Sequence, residues 1–375
     1  MLEHDAKTLL EAAGVPVPSG WLADRSGDPV SMPGPWIVKA QVPIGGRGKA
    51  GGIRAAETQD DVAAHVAAMI GMTLKGHPVR ECRIERRVAG AEAYLSLAVD
   101  PEGAGIRLLV SATGGIEIEA LHEAGSVVRS ALAAPDRDSV MTAFADLADR
   151  IPPMHRAMMR DAVSRLAEAF FRYEATLLEI NPLFLTADGW IAGDAKMILD
   201  ADAAPRVPAM GALIRDRRAA YPETFLKLTE GFDFAAMDQA GRVGMVTTGA
   251  GLSMMLIDEL TARGLRPFNF CDVRTGQMRG DPRRLIDVLR RISAGPAIGV
   301  VLVSVFAGIT HLGEFATLLV AAMRAVPELR VPVIARIIGN GFDDACRIIG
   351  EADLPIIIEP DLDRAVGEVA RHLEA

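Results

Sequence analysis

The sequence is poor in cysteine, with only 3 among 375 residues. Cys82, Cys271 and Cys346 are far apart, and no CxxC pair is present. This pattern excludes a disulfide framework and a cysteine-rich zinc site, because both need several thiols at defined spacing. Few and unpaired thiols are typical of a reducing compartment, so we expect a cytoplasmic protein.

The sequence also lacks a long apolar segment and an excess of positive charge. Its longest apolar run, 296–309, has about 14 residues, whereas a membrane helix needs about 18. The first residues, MLEHDAK, contain neither the basic nor the apolar region of a secretory signal. The formal net charge of −9 argues against the broad basic surface of a nucleic-acid-binding protein. We therefore expect no membrane and no nucleic-acid partner, whereas small anionic ligands stay open.

The length corresponds to two or three domains at roughly 150 residues each. From residue 241 onward, apolar strand-like runs alternate with helical runs, which is typical of a parallel sheet covered on both faces. The predicted strands are 243–247, 267–271, 298–304, 332–337 and 355–358, and the predicted helices lie near 250–263, 281–293, 313–325, 341–350 and 361–373. Residues 200–240 show no clean periodicity and are interpreted as a connection. We place the domains at 1–225 and 241–375, with a linker at 226–240.

The first half of the chain mixes helices and strands. Apolar spacing predicts helices over 3–13, 60–70, 138–150 and 155–173, and strands over 36–42, 83–88, 94–99, 106–111 and 176–180. The segments 183–185 and 190–192 are predicted to pair across a turn at Asp188 and Gly189. The segment that follows the first of these strands is the main candidate for chemistry.

A glycine-rich loop follows that strand directly. Residues 45–52 contain five glycines, and Arg47 and Lys49 lie among them. Such a backbone can approach a ligand closely, and its free N–H groups form a nest for anions. Lys39 on the preceding strand can reach the same anion as a point charge. The loop therefore predicts phosphate binding, and the alternative is a flexible hairpin tip with solvated charges.

A second candidate site combines an amide and a carboxylate. If 176–180 and 190–194 are adjacent strands, Asn181 and Asp194 lie close together. One amide oxygen and one carboxylate, completed by phosphate oxygens and water, suit Mg²⁺. The alternative is that Asn181-Pro182 is a turn that ends a strand and that Asp194 is a surface charge.

The order of these motifs resembles one known family. The chain contains, in sequence, IVKAQVPIGGRGKAGG, IERRVAGAEAYL, SATGGIEIE, LEINPL, DAKM and VGMVTTGAGL. It resembles the β subunit of succinyl-CoA synthetase and related ADP-forming acid–CoA ligases, including malate–CoA ligase, over essentially the whole length. The resemblance implies an α/β and α+β protein, in which an ATP-grasp fold of two lobes precedes a flavodoxin-like domain with five parallel strands.

The resemblance also implies a role for individual residues. Residues that match nucleotide-binding positions are Lys39, Gly46, Arg47, Gly48, Glu85, Arg86, Val88 and Glu92. Asn181 and Asp194 match the metal ligands, and Glu179 matches a glutamate that interacts with a phosphate-carrying histidine. Positions that match acid-substrate contacts are Thr248, Gly308, Ile309 and Thr310. Pro18 matches a proline of relatives that prefer ATP over GTP.

The implied reaction needs ATP, Mg²⁺ and a partner. ATP phosphorylates a histidine, the phosphohistidine activates a small carboxylic acid such as succinate or a related dicarboxylate, and CoA takes the acyl group. In the family the histidine and most of the CoA site belong to a separate α subunit, whose GHAGA-like motif is absent from this sequence. His311 at a strand-to-helix junction is the candidate for an in-chain carrier, and the alternative is a histidine that packs or hydrogen-bonds locally.

The second domain departs from the family pattern at three motifs. Thr248 replaces an asparagine, FCDVRTGQM introduces Arg274 into a glycine-rich turn, and AGITHLG lacks the usual Arg-Cys-Asp. Altered acid specificity, a changed surface for the α subunit and a degenerate paralogue all account for these changes. An ATP-grasp ligase with a non-CoA acceptor and a non-catalytic nucleotide-binding paralogue also stay open.

Overall fold

The computed structural model describes residues 1–25, 32–114, 129–275, 280–308 and 310–374. The chain divides into two units, Met1–Leu213 and Ile214–Ala375. Among the described residues, no helix has both the length and the apolar character required to cross a membrane.

The first unit begins with helix α1 (Glu3–Ala12) and a four-stranded antiparallel sheet of order β1-β6-β2-β3. The strands of this part are β1 (Gly20–Ala23), β2 (Trp36–Ala40), β3 (Ile53–Ala56), the short ribbon β4 (Thr73–Leu74) and β5 (His77–Pro78), and β6 (Cys82–Arg86). Helix α2 (Gln59–Met69) covers the sheet and begins with a reciprocal capping box between Thr58 and Asp61. Its buried residues lie on one face of the helix, as the apolar spacing predicted, and are Val62, Val66 and Met69.

A six-stranded antiparallel sheet completes the first unit, with order β11-β10-β7-β8-β9 and β12 also paired to β10. Its strands are β7 (Ala91–Asp100), β8 (Gly105–Ser111), β9 (Arg129–Ala133), β10 (Ala175–Thr186), β11 (Gly189–Ala192) and β12 (Ala195–Leu199). Helices α3 (Arg137–Ala148) and α4 (Pro153–Arg172) pack against it, and α4 buries an apolar stripe from Met159 to Phe170. The predicted pairing across the Asp188-Gly189 turn is confirmed, since Leu183 faces Ala192.

The first half of β10 pairs with a different segment from the one expected. The sequence analysis paired 176–180 with 190–194, whereas Leu178 faces Met197 and Ile180 faces Ala195. The reason is a break between β11 and β12 at residues 193 and 194. Because of this break, the two short strands pair with successive halves of one long strand.

The second unit alternates strands and helices from residue 243 onward. Its helices are α5 (Pro208–Asp216), which begins before the boundary, α6 (Pro222–Glu230), α7 (Ala250–Ala262), α8 (Arg283–Ser293), α9 (Leu312–Arg324), α10 (Phe342–Gly350) and α11 (Leu362–Glu374). Its strands are β13 (Asp233–Ala236), β14 (Val243–Thr247), β15 (Asn269–Asp272), β16 (Val300–Ala307), β17 (Val333–Gly339) and β18 (Ile356–Ile358). Each predicted element of this region is present, with ends within a few residues of the expected positions.

The parallel sheet of the described residues has four strands, in the order β14-β16-β17-β18, and the expected five-strand count is wrong. β15 pairs antiparallel with β13 instead. The physical reason is Asn269, whose buried carboxamide accepts from the Met245 N–H and donates to the Met245 carbonyl, both at 2.9 Å. This side chain takes the backbone groups of Met245, so the segment 266–273 bonds to β14 only at Val243 and Thr247 and forms an isolated parallel bridge rather than a fifth strand of the ladder.

Two apolar clusters cover the two faces of the parallel sheet. One face packs alternate residues such as Val301 and Val303 against α8, α9 and α10. The other packs Val300 and Leu302 against α7 and α11. Alternation along the same strand therefore fills both layers, as expected for a sheet that is buried on both sides.

The stretch 200–240 contains secondary structure where the sequence showed no clean periodicity. Pro222 stands in the first turn of α6, where a missing N–H costs no helical hydrogen bond. β13 then pairs with β15 in a register that sets Asp233 opposite Asp272. The assigned linker 226–240 thus includes the end of α6 and all of β13, and the domain limits themselves stay a prediction.

Candidate active site

A buried cluster of charged side chains lies inside the first unit. It combines four cationic residues with three carboxylates: Lys7, Lys39, Arg47 and Arg83, with Glu3, Glu85 and Asp194. These residues come from α1, β2, the glycine loop, β6 and the break between β11 and β12. Charges are seldom buried without partners, so their convergence from separate elements marks this place in the fold.

Two lysines of this cluster share the same three partners. The Lys39 ammonium lies 2.8 Å from Glu3, 2.7 Å from Glu85 and 2.7 Å from the Gly193 carbonyl oxygen. The Lys7 ammonium lies 2.6 Å, 2.7 Å and 2.8 Å from the same three residues. They differ in access, because the Lys39 side chain is 7% exposed and that of Lys7 is 0% exposed.

Arg47 joins the cluster to Asp194. Its Nη2 atom donates to Glu3 Oε2 at 2.6 Å and lies 2.9 Å from each carboxylate oxygen of Asp194. Its Nη1 atom donates to the Ala40 carbonyl oxygen at 3.1 Å. The guanidinium is therefore held on one side by α1 and β2 and covers Asp194 on the other.

The glycine loop folds back on itself around Arg47. Gly46 and Gly51 have φ values of 68° and 78°, in the left-handed region that other residues seldom adopt. The Gly52 N–H donates to the Arg47 carbonyl at 2.9 Å, and the Gly51 N–H donates to the Gly48 carbonyl at 3.1 Å. These turns place the Arg47 side chain inward while the loop itself stays near the surface.

The cluster raises the pKa of Lys39 and Arg47, whereas burial lowers the pKa of Lys7, and it compensates its carboxylates unequally. Burial acts against the Glu3 carboxylate, but Lys39, Lys7 and Arg47 hold its pKa well below the usual value. Burial also acts against the Lys39 ammonium, yet the neighbouring carboxylates raise its pKa. At Asp194, burial and then the Glu3 charge raise the pKa despite Arg47 and Lys39. Asp194 is thus the least compensated of the three carboxylates of the cluster.

The register of β10 and β12 places Asn181 beside Asp194. The antiparallel ladder ends with Ile180 opposite Ala195, so Asn181 and Asp194 are the next residues on the two strands. The Asp194 side chain is 27% exposed. Glu179 lies on the same strand, two residues before Asn181. Asn181 and Asp194 therefore lie on neighbouring segments just beyond the last paired residues, at the edge of the buried cluster.

Comparison with known proteins places this arrangement in a family. A profile described as an ATP-grasp domain matches residues 1–185, and one described as a CoA-ligase matches residues 246–366. The β subunit of succinate–CoA ligase [ADP-forming] from Ignicoccus hospitalis is 30% identical and aligns with 100% of this chain and 99% of its own. The chain belongs to this family. The subunit of the same name from Ralstonia pickettii is 32% identical over 98% of this chain and 97% of its own.

Solved structures agree on the fold. An ATP citrate lyase from Methanothrix soehngenii, solved with citrate and coenzyme A, superposes with a TM-score of 0.76 at 16% identity. The alignment covers 100% of this chain and 99% of that chain. The expected ATP-grasp and CoA-ligase architecture of an acid–CoA ligase is thereby confirmed.

The remaining predicted nucleotide residues lie outside the buried cluster. Arg86 and Val88 follow Glu85 at the end of β6, where Arg86 is exposed and its N–H donates to the Ser19 carbonyl at 3.0 Å. Glu92 is exposed near the start of β7. Of the expected ligase residues, the fold thus gathers Lys39, Arg47, Glu85 and Asp194 and leaves these three at the surface.

In the second unit, Thr248 directly follows strand β14 at the carboxyl edge of the parallel sheet. Its Oγ1 atom is buried and has no hydrogen-bond partner among the described residues. The next residue, Gly249, has φ 88° and donates its N–H to Asp272 at 2.8 Å. The hydroxyl group lies at the carboxyl ends of the strands, where α/β sheets bind substrates.

The other positions predicted to contact the acid follow β16. Gly308 is exposed directly after this strand, and the Thr310 hydroxyl lies 3.1 Å from that of Thr275. Ile309 lies outside the described residues. Arg274, which could have entered an anionic pocket, has φ 52° and is paired with Asp233 at 2.7 Å.

His311 acts as a local structural residue in this geometry. Its Nδ1 atom accepts the Gly313 N–H at 3.2 Å as the N-cap of α9, and its Nε2 lies 3.8 Å from Asp344. Gly341 packs so closely that an added Cβ would lie 2.3 Å from the imidazole ring. These contacts correspond to the second of the two alternatives that the sequence left open.

Sequence reasoning missed Glu3, Lys7 and Arg83. A signal for the first two was present, because positions 3 and 7 share one helical face with Ala6 and Leu10, which are buried. A charged pair within an apolar stripe at i, i+4 spacing indicates buried ionic contacts rather than a solvated face.

Proposed function

We propose that the chain is the β subunit of an acid–CoA ligase that activates succinate or a related dicarboxylate with ATP and Mg²⁺. An α subunit would supply the phosphate-carrying histidine and most of the CoA site, and the free thiols of Cys82 and Cys271 suit work in the cytoplasm. The observation that carries the proposal is the convergence of Lys39, Arg47 and Asp194 in one buried cluster.

The positive groups of the cluster suit the phosphates of a nucleotide. Transfer of a phosphoryl group needs charge neutralisation and positioning rather than covalent chemistry from the protein. Lys39 and Arg47 provide that charge beside the glycine loop with Gly46 and Gly48. The base would lie along Arg86 to Val88, with Glu85 and Glu92 at its edges, and Pro18 favours ATP.

The oxygen donors of the site fit Mg²⁺. Asn181 and Asp194 supply hard oxygen ligands on adjacent strand ends, and Mg²⁺ commonly binds one or two carboxylates together with phosphates. Among the described residues, no group of three or more His, Cys, Asp or Glu side chains could hold a metal. A bound Mg²⁺ would neutralise charge on the transferred phosphate, and Glu179 would face the phosphate-carrying histidine of the partner.

The acid would bind in the second unit at the carboxyl ends of β14 and β16. The unpartnered buried hydroxyl of Thr248 supports this assignment, because such a group is costly unless a ligand satisfies it. Gly308, Ile309 and Thr310 would complete the contact through the start of α9.

A matched pair of lysine variants tests the proposal. Lys39→Met should lower the affinity for Mg·ATP at least about 30-fold, because a charge-assisted contact contributes about 2 kcal/mol or more. Lys7→Met removes an ammonium with the same three partners but no exposed surface, so the folded variant should keep the affinity. Isothermal titration of both variants with Mg·ATP makes the comparison, and equal affinities in the two would refute the phosphate role of Lys39.

A further inference from the structure

We propose that Arg47 makes the site select the metal–nucleotide complex over the free metal ion. Without a nucleotide, the guanidinium of Arg47 is paired with the carboxylate of Asp194. When a nucleotide binds, its phosphates replace this carboxylate as the partner of Arg47. This inference rests on the proposed function, since it takes Asp194 as a metal ligand.

Both oxygens of the Asp194 carboxylate are already contacted by this chain's own groups. The Arg47 Nη2 atom lies 2.9 Å from both of its oxygens. Oδ1 also accepts the N–H of Ala195 at 2.8 Å. A divalent ion would have to bind these same oxygens at about 2.1 Å, next to a fixed positive charge. Two cations at such separation repel strongly where little water screens them.

Arg47 can give up Asp194 without losing all its partners. Glu3 Oε2 at 2.6 Å and the Ala40 carbonyl at 3.1 Å hold the guanidinium from the other side. The side chain therefore stays at the edge of the cluster when Asp194 is taken. A planar guanidinium then matches a phosphate group, to which it donates parallel hydrogen bonds.

The number of metal ligands in this chain also favours the metal–nucleotide complex over the free ion. Asn181 and Asp194 give two protein ligands, so the other four oxygens of an octahedral ion come from water or from phosphate. A nucleotide supplies phosphate oxygens to the metal and at the same time an anionic partner to Arg47. A free ion supplies neither, so it must displace Arg47 without compensation. The preference follows from this difference.

The test measures binding of manganese(II) chloride alone to the full chain by electron paramagnetic resonance of free Mn²⁺. Arg47→Met should bind Mn²⁺ about tenfold or more tightly than the unaltered chain, since it removes a charge-assisted contact from Asp194. Lys39→Met is the charge control, because it removes one positive charge from the same cluster and leaves Arg47 on Asp194. Its affinity for Mn²⁺ should rise by less than about threefold, as an indirect electrostatic effect allows.

Three outcomes would contradict either the role of Arg47 or the metal site itself. Equal gains in Arg47→Met and Lys39→Met would overturn the inference, because net charge alone would explain them. A gain in Arg47→Met that survives Asp194→Asn in the double variant would also overturn it. If Mn·ATP binds the Asp194→Asn variant as tightly as it binds the unaltered chain, the proposed metal site itself is wrong. That result concerns the proposed function and not the role of Arg47.

A conservative variant guards against misfolding of Arg47→Met. Arg47→Lys keeps the charge but lacks the planar fork that reaches Glu3 and Asp194 together. Its affinity for Mn²⁺ should lie between those of the unaltered chain and Arg47→Met. If Arg47→Met does not fold, an unchanged Mn²⁺ affinity in a folded Arg47→Lys overturns the inference.

Discussion

Glu3 bridges three of the four cationic residues in the buried cluster. Its Oε1 contacts Lys7 and Lys39, and its Oε2 contacts Arg47. Because the side chain is 1% exposed, water cannot replace these contacts. The residue lies on α1 and thereby ties this helix to the strand and the loop that carry the predicted phosphate ligands.

We predict that Glu3→Gln destabilises the chain by about 3–5 kcal/mol at neutral pH, because it leaves buried cations without their counter-charge. The lowered pKa of Glu3 also means that the unfolded state binds more protons in acid. The stabilising contribution of the Glu3 carboxylate to the free energy of unfolding is therefore complete above the ordinary glutamate pKa of 4.5. It is lost progressively as the pH falls below that value. Urea unfolding from pH 7 downward should show a steeper loss for the unaltered chain than for Glu3→Gln.

Glu11→Gln is the matched control on the same helix. Glu11 is exposed, so its replacement should change the free energy of unfolding by less than about 0.5 kcal/mol. Similar effects of the two substitutions would contradict the bridging role of Glu3.

The residues of the cluster differ in how well sequence predicts them. Lys39, Arg47 and Asp194 belong to motifs whose residue types carry recognisable chemistry, and the fold does bring them together. Glu3 belongs to no such motif, since a glutamate near a helix N-terminus is ordinary on any surface. The signal that was present is the i, i+4 pair of Glu3 and Lys7 within the apolar stripe of α1, but the partners Lys39 and Arg47 are distant in sequence and no local pattern names them.

At the scale of elements, helix ends and the hairpin at Asp188-Gly189 were predictable, whereas the partners of β15 and of the first half of β10 were not. The apolar period places α7 at 250–263, and the structure has Ala250–Ala262. The partner of β15 depends on one side chain, Asn269, that takes the backbone groups of Met245. Local spacing determines whether a segment is helical, whereas strand pairing depends on distant residues.

The contact between the starts of α9 and α10, where His311 meets Gly341, gives a prediction at this scale. Gly341 has φ 79°, and an added Cβ would lie 2.3 Å from the ring of His311. Gly341→Ala should therefore destabilise the second unit by about 1–3 kcal/mol, from left-handed strain and from the clash. Denaturant unfolding of the variant measures this loss.

Two further variants separate strain from clash at Gly341. Gly350→Ala lies in α10 with nothing within 4 Å of the added Cβ, so it should be neutral or slightly stabilising. The double variant Gly341→Ala with His311→Ala should recover the part due to the clash. No recovery would mean that backbone strain alone causes the loss.

At the scale of the whole molecule, the two units have separate cores and carry different parts of the proposed chemistry. The charge cluster lies within Met1–Leu213, and the acid-contact positions lie within Ile214–Ala375. Alternating elements after residue 241 made the second unit predictable as a parallel α/β sheet. The irregular composition of 200–240 obscured α6 and β13, because proline at a helix start resembles proline in a connection.

The assignment of His311 as the N-cap of α9 leads to the last prediction. The ring of His311 is held at the start of α9, because Nδ1 accepts the Gly313 N–H and Nε2 lies 3.8 Å from the Asp344 carboxylate. We therefore expect the phosphate carrier to be a histidine of the partner rather than His311. The chain alone should therefore bind Mg·ATP but form no succinyl-CoA, and an α subunit from the same organism should restore product formation. His311→Asn keeps a capping acceptor and should retain most of the activity of that complex. A coupled assay for acyl-CoA measures both, and product from the chain alone, lost in His311→Asn, would instead make His311 the carrier.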